Sequence, residues 1–360
     1  MNIFDELGVR PYINAHDTYT VYGGSRMPPQ ALEAMRQISA HFVDFDELQQ
    51  KAGESIAALT RNEAAFVTNG ASGAILLATA VCLARGDAWR YSRLPETDSR
   101  NEVVVLCCQH NAYDKAIEAA GAKTVMIGDA DETTPEELAG SISENTAAVF
   151  YFPNIRYEFA SLPLETVIAV AHEKGVPVVV DAAAQLPPVE NLWKFTGMGA
   201  DLAIFSGGKT LCGPQDSGLI LGRADLIRDC RRFGAPAHGI CRSSKTSREA
   251  VAGLWAAVKL YVEKDHAAEA RALRAMADAM AEKLAAAGLH ARIVPYGPVG
   301  QSYPRVFVDL PEAAKAASVR ERMREGGIYI GAEARENAVY LSPLNLTEDE
   351  AETVLDQLIK

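Results

Sequence analysis

Short runs of apolar residues alternate along this chain with longer stretches whose apolar positions recur at helical spacing. The short runs predict strands at Ala64–Thr68, Glu102–Cys107, Thr124–Ile127, Ala147–Phe152, Pro177–Asp181, Asp201–Phe205 and Gly218–Leu221. The stretches between them predict helices at Ser72–Arg85, Tyr113–Ala120, Leu164–Lys174 and Ala224–Arg232. Such alternation predicts an α/β fold, a mainly parallel seven-stranded sheet covered by helices. The run VPVVVDAA is continuously apolar, as a strand buried on both faces requires.

After Phe233 the pattern changes. The Gly- and Ser-containing segment GAPAHGICRSSKTS leads into an Ala-rich helical region from Glu249 to about Ala287, which need not be one unbroken rod. Shorter strands and helices follow to Lys360. The expected division is a large domain over 1–239, N-terminal segment included. The linker, long helix and a smaller α+β C-terminal domain are expected over 240–360.

Composition narrows the classes. The chain has 360 residues, 48% hydrophobic and 23% charged, with a formal net charge of −12. That suits a globular protein with ample core and argues against a general nucleic-acid binder, which needs a basic face. No basic and apolar leader opens Met1–Arg10, and no apolar run reaches spanning length, so a cytoplasmic protein without membrane contact is expected. Cys82, Cys107, Cys108, Cys212, Cys230 and Cys241 match neither a zinc site nor a disulfide framework, so reduced thiols and no metal are expected.

The chemistry concentrates between residues 181 and 209. Asp181 closes the VPVVVD run, and Ser206 and Lys209 stand just past the run ADLAIF in SGGK, the lysine 28 residues after the aspartate. Asp, Ser and Lys at successive strand ends are what a pyridoxal 5′-phosphate (PLP) site needs. The lysine forms a Schiff base with the aldehyde, the aspartate keeps the pyridinium nitrogen protonated, and the serine bonds the phosphate. Gly208-Lys209-Thr210 looks like the tail of a nucleotide-binding P-loop, but that motif requires glycine where this chain has Ala203. In TNGASGA, between a strand and a helix, Gly70, Ala71 and Ser72 are placed to present N–H groups to a phosphate, although an ordinary glycine turn reads the same way.

These segments resemble the fold type I PLP enzymes of the aspartate aminotransferase superfamily. DAAAQLPP, ADLAIFSGGKTLCGPQDSGLILGRADLI and INAHDTYTVYGGSRM resemble the branch holding selenocysteine synthase and D-glucosaminate-6-phosphate ammonia-lyase, from about residue 12 onward. The resemblance implies that His110 in QHNAYD stacks on the pyridine ring, that Ala183 packs below it, and that Gln185 reaches the ring hydroxyl. It further implies a homodimer or higher homo-oligomer with shared sites, the HGICRSSKTSREAV segment bringing Arg242 and Lys245 toward the phosphate or substrate. Arg26 in the GGSRM loop is a further pocket candidate, and Arg305 and Arg335 are candidates to grip a substrate carboxylate in bidentate fashion. For each arginine a surface ion pair is an equal alternative.

The branch implies a small amino acid as substrate and a carbon–nitrogen lyase reaction. Lys209 would take the α-proton, water would leave Cβ, and a 2-keto acid and ammonia would result, with a phosphorylated amino-sugar acid among the candidate substrates. The same site also suits selenocysteine synthase-like transfer, aldol cleavage or racemisation, and a PLP-binding regulatory module is the non-enzymatic alternative. Transfer to a tRNA is disfavoured, since Ile13 opens the INA motif with no room for a preceding tRNA-binding domain. His16-Asp17 and the CRSSKTSRE linker depart from the branch pattern, which leaves the substrate open.

Overall fold

The computed structural model describes residues 2–312 and 314–360. The chain forms two compact units, 27–264 and 1–26 with 265–360.

The larger unit is built on seven strands: β1 (Ala64–Asn69), β2 (Glu102–Leu106), β3 (Lys123–Ile127), β4 (Thr146–Tyr151), β5 (Val178–Asp181), β6 (Leu202–Ser206) and β7 (Ser217–Gly222). Their order across the sheet is β1-β7-β6-β5-β4-β2-β3. All neighbours are parallel except β7, which is antiparallel to β1 and β6. Each strand lies within a residue or two of its expected place. The antiparallel β7 follows from chain length, because residues 207–216 are too few for a crossover between parallel neighbours. Since β7 alone runs against the rest, β1 through β6 all end at one edge of the sheet.

Successive strand residues alternate between two cores. Val104, Val149, Val180, Ala203 and Leu219 enter one, and Val103, Ala148, Val179, Ile204 and Ile220 enter the other. The first core receives α2 (Phe45–Leu59) and α4 (Arg248–Glu263), with α1 (Pro29–Ser39) outside them. The second receives α3 (Gly70–Ala84), which is buried along most of its length from Ala74 onward. The outer edge of β1 is covered. The buried Gln49 of α2 donates from Nε2 to the Val67 carbonyl at 2.9 Å and accepts from the Val67 N–H at 3.4 Å. Gly53 permits this approach, since a Cβ there would lie 2.4 Å from the Ala65 carbonyl oxygen.

The Ala-rich region is two helices, α4 and α5 (His266–Ala286), separated at Lys264-Asp265. Asp265 caps α5, its Oδ1 accepting from the Ala268 N–H at 2.8 Å. The boundary expected at residue 239 falls inside the larger unit, because Cys241 and the start of α4 are buried in its two cores.

The second unit carries an antiparallel sheet of β8 (His290–Val294), β9 (Arg305–Asp309), β10 (Gly331–Glu333) and β11 (Ala338–Leu341), in the order β10-β11-β9-β8. Helices α5 and α6 (Glu348–Ile359) complete its core. The N-terminal segment, expected with the large domain, belongs here: Ile13 and Asn14 pair with Ile328 and Tyr329. Asn14 folds the next residues into a turn, its Oδ1 accepting from the His16 N–H at 3.0 Å. Asp17 is then buried against Tyr303, whose hydroxyl donates to both carboxylate oxygens at 2.8 and 2.9 Å. Among the described residues no helix is long and apolar enough to cross a membrane.

His16 lies against the rings of Tyr19, Tyr22 and Tyr340 at 5.2, 4.6 and 5.2 Å, and its Nδ1 is buried with no partner among the described residues. Burial, then the charges of Arg320 and Arg305, holds its pKa at about 4 instead of the ordinary 6.5. A folded state that binds this proton less readily than the unfolded chain loses stability as pH falls between those values. His16→Gln is therefore expected to flatten the stability curve between about pH 6.5 and pH 4. Urea titrations of both proteins across that window check it, and parallel curves would refute it.

Candidate active site

The strand ends that meet at one edge of the large sheet bring together residues far apart in the chain, from Gly70 to Lys209. Asp181 ends β5, Ser206 ends β6, Gly70 opens α3 after β1, and His110 follows β2 after a short 3-10 turn over Cys107–Gln109. Registration places Ser206 opposite Gly218, and Gly218 opposite Thr68, in one row across three strands.

Lys209 stands in a turn that glycine makes possible. A Cβ on Gly207 would lie 2.0 Å from Ser217 Oγ and 2.8 Å from Leu254 Cδ1. One on Gly208 would lie 2.4 Å from Gln215 Oε1. The turn is tied by Gly207 N–H to the Ser217 carbonyl (2.8 Å), Gly213 N–H to the Gly207 carbonyl (2.8 Å) and Cys212 N–H to the Lys209 carbonyl (2.9 Å). Thr210 Oγ1 donates to the Leu186 carbonyl at 2.9 Å, fastening this turn to the segment after Asp181.

The Asp181 side chain keeps some accessible surface yet lies deep among protein atoms. Desolvation raises its pKa; the Ala183 N–H (3.0 Å) and the Lys209 charge lower it in part, and the Asp114 carboxylate raises it further. The Lys209 and Asp114 charges both act on Asp181. Its negative charge is thus under-neutralised by the protein, which favours a cationic ligand group there.

His110 is held by Asp114 through Nδ1 at 2.5 Å, with 61% of its side chain exposed and that of Asp114 almost wholly buried. Its face is therefore open, and a carboxylate absent from the sequence-based site sets its orientation. The signal for Asp114 is local, since His110 and Asp114 stand one helical turn apart in QHNAYD. Gln109 is a second residue outside that expected set. It is buried, donates to Ser161 Oγ and accepts from the Phe152 N–H, both at 2.8 Å, and so ties β2 to the end of β4. Gln185 donates from Nε2 to the Pro153 carbonyl at 2.7 Å.

At α3, Gly70 has φ +62°, a conformation that favours glycine, and its carbonyl lies where a Cβ on Gly218 would fall, 2.4 Å away. Asn69 makes no side-chain cap, so the first-turn N–H groups near Ala71 and Ser72 face outward without one. Ser72 is exposed. The linker passes close by, with Ser244 Cβ 3.7 Å from a Cβ built on Gly73, and exposed Arg242 and Lys245 flank it. An under-neutralised carboxylate, an amine and an uncapped helix N-terminus at one strand edge fit PLP, which carries a basic ring nitrogen, an aldehyde and a phosphate.

The other arginines lie in the second unit. Arg26 is committed to Glu350 at 2.6 Å and to the Asn345 carbonyl at 2.8 Å, the ion-pair alternative. Arg305 is buried, donates from Nε to the Tyr296 carbonyl at 3.1 Å and stacks over Phe307 and Tyr340. Arg335 is exposed in the turn between β10 and β11.

The family model described as SelA, L-seryl-tRNA selenium transferase, matches residues 29–293. A 5'-C-glycyluridine monooxygenase-decarboxylase of Streptomyces sp is 33% identical over 91% of this chain and 83% of its own. A D-glucosaminate-6-phosphate ammonia lyase of Salmonella typhimurium (strain 14028s / SGSC 2262) is 29% identical, covering 99% of this chain and 97% of that one. The chain spans only 54% of an L-seryl-tRNA(Sec) selenium transferase of Hyphomonas neptunium, at 28% identity. A solved structure of D-glucosaminate-6-phosphate ammonia-lyase superposes with a TM-score of 0.87 over 99% of this chain and 97% of that one, at 29% identity. A NifS-like protein at 17% identity, TM-score 0.64, shares the fold.

Two stability measurements test this geometry. Gly207→Ala is expected to cost about 1–3 kcal/mol by overpacking against Ser217 and Leu254, read as a lower urea midpoint at unchanged slope. The raised pKa of Asp181 means that the folded state binds its proton more readily than the unfolded chain, so ionisation opposes folding as pH rises above the ordinary carboxylate value. In cofactor-free protein, Asp181→Asn is expected to be more stable than wild type at neutral pH, the gain vanishing below about pH 4. A variant less stable at pH 7 would overturn the reading of Asp181 as under-neutralised.

Proposed function

Because this chain belongs to the L-seryl-tRNA selenium transferase family, we propose that it is a PLP-dependent carbon–nitrogen lyase acting on a small 2-amino acid that carries a β-hydroxyl. The observation that carries this reading is the whole-chain likeness to D-glucosaminate-6-phosphate ammonia-lyase, joined to the Asp181–Lys209 geometry at the strand edge. That likeness makes a phosphorylated amino-sugar acid the substrate class to test first.

When bound, PLP supplies an electron sink for the pair released at the substrate Cα. The residues divide the remaining work. The N–H groups of Gly70, Ala71 and Ser72 and the Ser206 hydroxyl would bind the phosphate dianion, where the dipole of α3 favours negative charge. Asp181 would hold the ring nitrogen and keep it protonated. His110, steadied by Asp114, would cover one ring face, and Ala183 would leave room on the other. Gln185, braced on the Pro153 carbonyl, is assigned to the ring hydroxyl. Lys209 Nζ would hold the cofactor aldehyde and, with substrate bound, would take the Cα proton. Arg242 and Lys245 neutralise the anionic end of the substrate.

The Cα proton and the Cβ hydroxyl leave together as water. The released enamine takes up water and gives a 2-keto acid and ammonia. The acidic chain, net charge −12, is poorly suited to a polyanionic tRNA, so the substrate named for the selenium transferases is not carried over. A second reading rests on the 33% identical relative, whose name implies loss of a carboxylate with oxygen consumption. A homodimer or higher homo-oligomer with shared sites is the assembly this reading takes.

The first test is an absorption spectrum of purified protein before and after borohydride, beside Lys209→Ala. The expected result is a visible band that borohydride bleaches, with the adduct on Lys209 and no band in the variant. Steady-state assays with 2-amino-2-deoxy sugar acids and 3-hydroxy amino acids are expected to release ammonia and keto acid, with Lys209→Ala lowering kcat by about 10²–10⁴-fold. Carbon dioxide release with oxygen uptake, and no ammonia from those substrates, would favour the second reading.

A further inference from the structure

We propose that the opposite edge of the large sheet carries a second ligand site, which binds a small multiply charged oxyanion of the phosphate class. A cavity of about 420 Å³ opens there, bordered by Arg85, Arg100, His172, Asp201 and Arg223. Its size falls within the range of small-molecule sites. None of these residues belongs to the candidate active site, which lies at the far ends of the same strands.

The site is built around Asp201, which is buried and fully engaged. Its Oδ1 accepts from Arg223 Nη1 at 2.6 Å, and its Oδ2 is paired with His172 Nε2 at 2.8 Å and accepts from the Val178 N–H at 2.7 Å. One carboxylate thus fixes both a guanidinium and an imidazole at the wall of the cavity. Arg223 is further held by Asp225 at 2.7 Å, and Arg85 by Asp98 at 2.8 Å, so those charges are largely answered.

Arg100 is different. Its side chain donates from Nε to the Thr146 carbonyl at 2.9 Å, and among the described residues it makes no other side-chain hydrogen bond and no ion pair. A half-buried guanidinium in a recess, with donors left over and no carboxylate of its own, favours an anion. Bidentate recognition by Arg100, with Arg223 and His172 alongside, matches the fork geometry of a phosphate. Asp201 also ties the two strands together, its N–H donating to the Val178 carbonyl at 2.9 Å, so the site rests on the strands that end in Asp181 and Ser206.

The test is a chemical footprint on the full chain saturated with PLP, which keeps phosphate ligands out of the cofactor position. Diethyl pyrocarbonate modifies exposed imidazoles, and the His172 side chain is 42% exposed. Pyrophosphate is the probe, titrated at constant ionic strength with potassium chloride, and mass spectrometry reads each histidine. Saturable protection of His172 is expected, with the exposed His41, outside both sites, as the internal reference. Arg100→Ala is expected to raise the half-protecting concentration by about tenfold or more, and Arg100→Lys by less. No protection of His172, protection matched by chloride alone, or an unchanged midpoint in either folded variant would overturn the proposal. The wild-type footprint stands alone should Arg100→Ala fail to fold. It is read at His172, so its outcome is independent of the lyase assignment.

Discussion

A buried carboxylate that the protein only partly neutralises is the constraint around which the large unit is arranged. Asp181 ends a strand walled by apolar side chains, and desolvation outweighs what the Ala183 N–H and Lys209 give back. Twenty residues on, at the other end of the same strand pair, Asp201 meets the opposite treatment, with an arginine, a histidine and a backbone N–H all supplied. The two aspartates have the same chemistry. One is satisfied from within, and the other only in part. Ionisation of Asp181 and stability therefore pull against each other, as is common where a fold stores cost at a site.

Close backbone packing gives the edge its geometry. Gly207 and Gly208 lie against Ser217 and Gln215, and Gly218 against the Gly70 carbonyl, so the lysine turn, the start of β7 and the mouth of α3 form one tightly packed corner. Larger residues at any of these points would push the turn at Gly70 away from Lys209. The motif glycines are thus required by space at 207, 208 and 218 and by backbone conformation only at 70. Gln49 does comparable work one strand over, closing the hydrogen bonds of an edge strand that would otherwise bind another chain.

The second unit shows the same economy with different residues. Asn14, His16 and Asp17 are near neighbours in sequence, yet their roles are separate. Asn14 shapes a turn, His16 sits neutral among tyrosine rings, and Asp17 anchors Tyr303. His16 and Asp17 are also where the chain departs from the branch pattern. Both are buried, at the cost of desolvating ionisable groups.

The sequence by itself determined the strands, the order of helices between them and the identity of the residues at the strand ends, because those depend on local periodicity and on chain length between elements. Asp181, Ser206 and Lys209 were legible for that reason. The reversal of β7 has the same origin, since residues 207–216 cannot make a crossover. Tertiary structure alone decided which unit receives the N-terminal segment, because Ile13 pairs with Ile328 across more than 300 residues and no local pattern records that partner. It also decided that Asp114 orients His110, that Arg26 is taken by Glu350, and that Arg85, Arg100 and Arg223 converge on one cavity. Charges far apart in the chain acquire meaning only when folding sets their distances, because electrostatic and hydrogen-bond energies depend on separation and burial, and neither is written in the order of residues.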